Sequence, residues 1–152
     1  MSSEPVLSAL QRAFLESARR AALATIAPDG RPRLVPVCFV VDSARPVVYS
    51  PIDDKPKRGD DPMSLARVRD IGVDPRVTLL VDRWDEDWTR LAWLRGTGTA
   101  TVMIPSADGA EHGAAVVALR AKYRQYATHR LERRPMIRIT LERVTDWGAL
   151  EG

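Results

Sequence analysis

Between Ala21 and Tyr49 the chain lays down three short apolar runs separated by two turn signals, which leaves little room for anything but antiparallel strands. The run Ala21-Ala22-Leu23-Ala24-Thr25-Ile26-Ala27 stops at Pro28-Asp29-Gly30-Arg31-Pro32. Asp-Gly between apolar runs predicts a hairpin, because glycine takes the positive φ that a tight turn needs. The return run spans Leu34 to Val41 and carries Pro36. Proline cannot donate to a ladder, so Pro36 marks an edge, a bulge or an early strand end. A second turn, Asp42 to Pro46, leads into Val47-Val48-Tyr49. The first third of the chain therefore predicts a three-stranded meander.

Helical signals flank these strands. From Glu4 to Ser17, Val6, Leu7, Leu10, Ala13 and Phe14 recur at three-and-four spacing. That makes one apolar stripe, with Ser3 as cap and Pro5 in the first turn. Leu65, Val68 and Ile71 predict a short helix ending near Gly72. Asp74-Pro75-Arg76 turns the chain into Val77 to Val81, which is β-branched and of strand length. Strand character resumes from Arg90 to Met103, where Gly96 and Gly98 allow a bulge or bend. Gly96-Thr97-Gly98 is no dinucleotide fingerprint, since it lies within a strand and lacks the third glycine. Asp108 to Glu111 resembles a capping box. Behind it Val116, Leu119, Tyr123 and Tyr126 share a helical face, the tyrosines reading as core or interface. Met136 to Val144 alternates, with Ile137, Ile139 and Leu141 on one side. No repeat or linker divides residues 1–152, so one domain is expected. The sum is a mainly β (α+β) chain: a six-stranded antiparallel split β-barrel with three flanking helices.

Charge narrows the function classes. A net charge of +3 with interspersed acids argues against nucleic acid as the main partner. No apolar run approaches the roughly 18–20 residues of a membrane span. The first residues lack the order of a signal peptide. Cys38 is the only cysteine, so no internal disulfide forms, and a cytoplasmic location is the default. No group of His, Cys, Asp and Glu shows metal-ligand spacing. The cations concentrate instead: Lys55, Lys57 and Arg58 fall within four residues, and Lys122 is the one other lysine. Such a loop, leaving a strand end, suits a phosphate or other anion. It also suits a solvated surface, because Asp53, Asp54, Asp60 and Asp61 flank it.

In combination these pieces resemble the pyridoxamine 5′-phosphate oxidase-like split-barrel superfamily, and within it the deazaflavin (coenzyme F-420)-dependent oxidoreductases. The resemblance rests on Ala22 to Ile26 before Asp29-Gly30-Arg31-Pro32, the Lys55-Pro56-Lys57-Arg58 loop, Asp74-Pro75-Arg76-Val77, and Trp88-Thr89-Arg90 followed by Gly96 to Ala100. It covers about Ala21 to Ala100, and Arg138 to Trp147 is consistent with it. It implies a homodimer with two cofactor sites at the subunit interface. Cofactor phosphate would meet Lys55, Lys57, Arg58 and, on the helix that follows, Arg67. The flavin-like ring would lie along Val35, Pro36, Val37, Tyr49 and Ser50. Trp88, or Trp84, would cover it from the partner. The insertion-like Gly59-Asp60-Asp61-Pro62 departs from the family pattern and leaves open which cation reaches phosphate. The resemblance favours coenzyme F-420, with FMN as the alternative; extra cations at Arg67, Arg69 and Arg76 would suit a polycarboxylate tail. Three readings follow: an F-420-dependent reductase of a small organic acceptor, an FMN-dependent oxidoreductase of the same fold, and a non-catalytic module holding flavin, deazaflavin or haem. No side chain is singled out as catalytic, because in hydride transfer the cofactor supplies the chemistry.

Overall fold

The structure, a computed structural model, describes residues 4–53 and 61–152. Seven strands form one antiparallel sheet: β1 Ala21–Ile26, β2 Pro32–Val37, β3 Val40–Val41, β4 Val47–Pro51, β5 Arg76–Arg83, β6 Ala92–Met103 and β7 Met136–Gly148. Three α-helices accompany it: α1 Ala9–Ser17, α2 Ala66–Val73 and α3 Gly109–Lys122. The sheet order is β2-β1-β5-β6-β7-β4-β3.

This order corrects the expected meander. Asp29-Gly30 does turn β1 into β2, with Gly30 at φ 86°. The return run, however, breaks after Val37, and β3 pairs with β4 instead of continuing β2. Six expected strands thus become seven. Strands β2 and β3 are the two edges of the sheet. Yet Val37 and Val40 are three Cα steps apart, a reach of at most about 11 Å. The sheet must therefore curl until its edges nearly meet, which gives a half-barrel. Pro36 sits on edge strand β2, as its missing N–H requires.

The helix ends also differ from expectation. Helix α1 begins at Ala9 because Ser8 and Gln11 form a reciprocal capping box, and that satisfies two end donors. The Asp108 side chain makes no cap bond to α3; its Oδ2 accepts from the Ile104 amide at 2.9 Å. Strand β6 starts at Ala92, two residues later than expected, because Trp88–Arg90 forms a 3₁₀ turn capped by Asp87.

Leu23, Phe39, Leu79, Leu94, Ile137, Ile139 and Leu141 fill the barrel, with Val68 and Ile71 of α2 closing one end. A second cluster lies outside the sheet, where α3 packs on Val47, Tyr49 and Met136. Strand β4 is consequently buried on both faces. A bulge separates the covered part of β7 from the rest. Thr97 pairs with Arg143 and Gly98 with Leu141, so Glu142 has no partner across β6. A Cβ on Gly98 would lie 1.9 Å from the Thr140 carbonyl oxygen, so only glycine permits this approach.

Candidate functional site

The segment carrying Lys55, Lys57 and Arg58 lies outside the described residues, but both of its flanks are defined. On the β4 side Asp53 is 7% exposed, and the Tyr126 hydroxyl donates to its Oδ2 at 2.7 Å. The Arg134 guanidinium donates to the Asp53 carbonyl at 3.1 Å. On the α2 side, Arg67 has a buried Nε without a hydrogen-bond partner among the described residues. Burial pulls the Arg67 pKa down, and the Asp53 carboxylate works against that shift. Burial pushes the Tyr126 phenol up, as do hydrogen bonds to Cys38 and Asp53. A buried guanidinium nitrogen with no acceptor is costly unless an anion completes it. In sequence Arg67 follows the segment that holds Lys55, Lys57 and Arg58, nine residues after Arg58.

The other residues expected at the site are distributed as follows. Val35, Pro36 and Val37 lie on edge strand β2, which leaves alternate backbone groups unpaired by strand neighbours. Leu34, Val35 and Pro36 line a shallow pocket of about 250 Å³ with Arg20, Leu80 and Asp82. Tyr49 and Ser50 lie on β4, and both side chains are hydrogen-bonded within the protein. The Tyr49 hydroxyl donates to Glu111 of α3 at 2.5 Å and accepts from Arg45 at 2.8 Å. Burial, helped by Glu111, pushes its pKa up to about 12. Ser50 is buried and donates to the Cys38 carbonyl at 2.9 Å. Both side chains are engaged in holding β4. Trp88 is 69% exposed on its 3₁₀ turn, and Trp84 is similarly open, bonding only Glu86.

Sequence reasoning missed the Asp53–Tyr126 pair. Asp53 reads as one of four acids screening the cations, and nothing in the pattern marks it as buried. Tyr126 was legible as core, but its hydroxyl acceptor was not. Arg69 and Arg76 separate from Arg67 for a geometric reason. Residues two apart on an α-helix point about 200° apart, and Arg69 turns toward Arg33 and Arg76.

A single antiparallel sheet curled into a half-barrel, with three helices beside it, is the architecture of the split-barrel class. The chain belongs to the pyridoxamine 5′-phosphate oxidase family, whose sequence pattern matches residues 7–148. No curated protein matches the sequence. Among solved structures, a conserved hypothetical protein of Mycobacterium tuberculosis superposes with a TM-score of 0.72 at 21% identity, covering 97% of this chain and 89% of that one. An F-420 reductase gives a TM-score of 0.60 at 19% identity, covering 88% and 94%. A haem storage protein of Vibrio cholerae gives 0.65 at 13%, covering 90% of each chain. At these identities the likeness is one of fold. No helix among the described residues is long and apolar enough to cross a membrane.

Proposed function

We propose that the protein is a deazaflavin (coenzyme F-420)-dependent oxidoreductase acting on a small organic acceptor, as a homodimer with a cofactor site at each subunit interface. The observation that carries this reading is the buried Nε of Arg67, which has no hydrogen-bond partner among the described residues. A cofactor phosphate supplies the acceptor which that donor lacks, and a guanidinium fork suits it. The unpaired backbone of β2 offers donors and acceptors to the polar edge of a flavin-like ring. When bound, the cofactor supplies the hydride. Arg67 and the basic segment hold the phosphate; β2 orients the ring; Trp88, exposed in one subunit, excludes water from its partner's site. A chain whose lone cysteine forms no internal disulfide suits a reducing cytoplasm.

FMN also carries a phosphate on its side chain, so the same residues serve it, and binding must decide. Haem is less well supported, because the His112 Nε2 is already 2.7 Å from the Arg134 carbonyl oxygen. Titration of tryptophan fluorescence separates the two flavin readings: quenching by micromolar F-420, with FMN far weaker, is expected. Preference for FMN would reverse the assignment. Replacing Lys57 and Arg58 together by alanine should weaken binding at least tenfold, about 1.4 kcal/mol. Unchanged affinity in the folded variant would reduce the segment to solvated surface.

A further inference from the structure

We propose that a second cleft, on the other side of α2 from Arg67, is a binding site for an organic carboxylate with an apolar body. The cleft has a volume of about 520 Å³, within the size range of small-molecule sites. It lies between the β1–β2 turn, the C-terminal half of α2 and the start of β5. Ile26, Pro28 and Val73 give it apolar walls, and Arg33, Arg69 and Arg76 reach it from three different elements.

The charges in the cleft do not cancel. Asp70 is buried, and its Oδ2 accepts from the Thr25 hydroxyl and from the Arg33 Nε, both at 2.7 Å. That pairing fixes Arg33 against the wall, while its terminal nitrogens make no hydrogen bond among the described residues. Asp74 is taken by Arg76, whose Nε and Nη2 lie 3.0 and 2.7 Å from its carboxylate oxygens. Those bonds hold the Asp74 carboxyl below its ordinary range. The Arg69 guanidinium has no ion pair or hydrogen bond among the described residues, so it is the uncompensated charge. Two acids thus answer three guanidinium groups, and one of the acids is withdrawn into the protein. An incoming carboxylate meets Arg69 and the open fork of Arg33. Val73, 82% exposed at the lip, has no apolar cover, and a hydrocarbon body would supply it.

This site is independent of the flavin reading, since Arg67 and Arg69 occupy nearly opposite sides of α2. The test uses the full-length protein and calorimetric titration with hexanoate, hexanamide, inorganic phosphate and γ-glutamylglutamate. Hexanoate should bind saturably, at least tenfold more tightly than the other three. Arg69→Ala should weaken hexanoate binding at least tenfold, and Val73→Asp should do the same; both positions are exposed, so the fold survives. Affinity for F-420, measured on the same variants, should not change. Absence of saturable hexanoate binding, or indifference to Arg69→Ala, would overturn the proposal. So would equal binding of hexanamide or phosphate, which would remove the carboxylate or the apolar body from the recognition. Tighter binding of the γ-glutamyl peptide, or a parallel fall in F-420 affinity, would assign the cleft to the cofactor's own carboxylates and overturn it as a separate site.

Discussion

The outer surface of the sheet is treated in two opposite ways. Over β4 and the first half of β7, α3 covers it, and every residue of β4 is buried. Over β2, β1, β5 and the first half of β6 nothing among the described residues covers it. There Leu34 is 70% and Leu80 40% exposed, and cross-strand register sets Pro36, Ala22 and Leu80 in one row with Leu34 and Ala24 in the next. Both faces are apolar enough to need cover. One finds it within the chain, and the other, on the proposed dimer, finds it in a second copy. The sequence pattern follows this division. Val47-Val48-Tyr49 is a continuous apolar run because both faces are buried, whereas β5 alternates because its outer side is open.

The largest test of this division is at the bulge that separates the two parts of the sheet. Gly98→Ala should destabilise the fold by about 3 kcal/mol or more, because its Cβ strikes the Thr140 carbonyl. Urea denaturation measures it, and a near-neutral result would remove the bulge as a fixed boundary. Next, Leu80→Arg should raise the dimer dissociation constant at least about a hundredfold, 2.7 kcal/mol, with secondary structure intact. Val117→Arg, on the exposed outer side of α3, should leave it unchanged. Sedimentation of the two variants decides: equal behaviour would dissolve the contrast between the faces. Beneath α3, Tyr126→Phe takes a donor from the buried Asp53 carboxylate and should cost about 1–3 kcal/mol. Denaturant midpoints read this effect, and no loss would show that Asp53 is solvated.

The smallest effect concerns Lys122 at the end of α3. Its Nζ is buried without a hydrogen-bond partner among the described residues, 4.0 Å from the Phe39 ring centroid. Burial, with Arg19 nearby, lowers its pKa to about 8 from 10.5. The folded state therefore releases this proton earlier than the unfolded chain does. The penalty is full below pH 8 and relaxes as pH rises toward 10.5. Stability should rise by about 1 kcal/mol across that window, after allowance for partial solvation of the side chain. Tyr49 does not oppose this below about pH 10, because its pKa is raised. Lys122→Met should abolish the rise; persistence of the rise in that variant would point to another group.

Much of the fold was legible because it depends on local signals. The Asp29-Gly30 turn, Val116 and Leu119 of α3 and the alternation of β7 through Leu141 each state their structure within a few residues, whereas Tyr123 and Tyr126, expected on the same helical face, lie beyond the end of α3 at Lys122. What failed depended on distant partners. The split of Leu34 to Val41 into β2 and β3 follows from sheet closure, which no window of sequence contains. The expected helix start at Glu4 gave way to Ala9, because Ser8 caps the helix and Gln11 reciprocates; the expected cap Ser3 lies outside the described residues. At the candidate site, Arg67 was named through the family resemblance, and the burial of its Nε was not readable from the sequence. Nor was the engagement of Tyr49 and Ser50, because Glu111 and the Cys38 carbonyl come from elsewhere in the chain.

Phe39 stands at the seam where the curled sheet fails to close, fully buried between its two edges. Its amide donates to the Tyr123 hydroxyl at 3.1 Å, and that hydroxyl also lies 3.1 Å from the carbonyl oxygens of Phe39 and Arg19. One phenol from the end of α3 thus takes the place of the missing neighbouring strand. It works as a latch, joining the two rims of an open cylinder without turning it into a closed one. The cylinder keeps its edge strand β2 available to a ligand or a second subunit, while the stretch most exposed to wrongful strand pairing is already tied off.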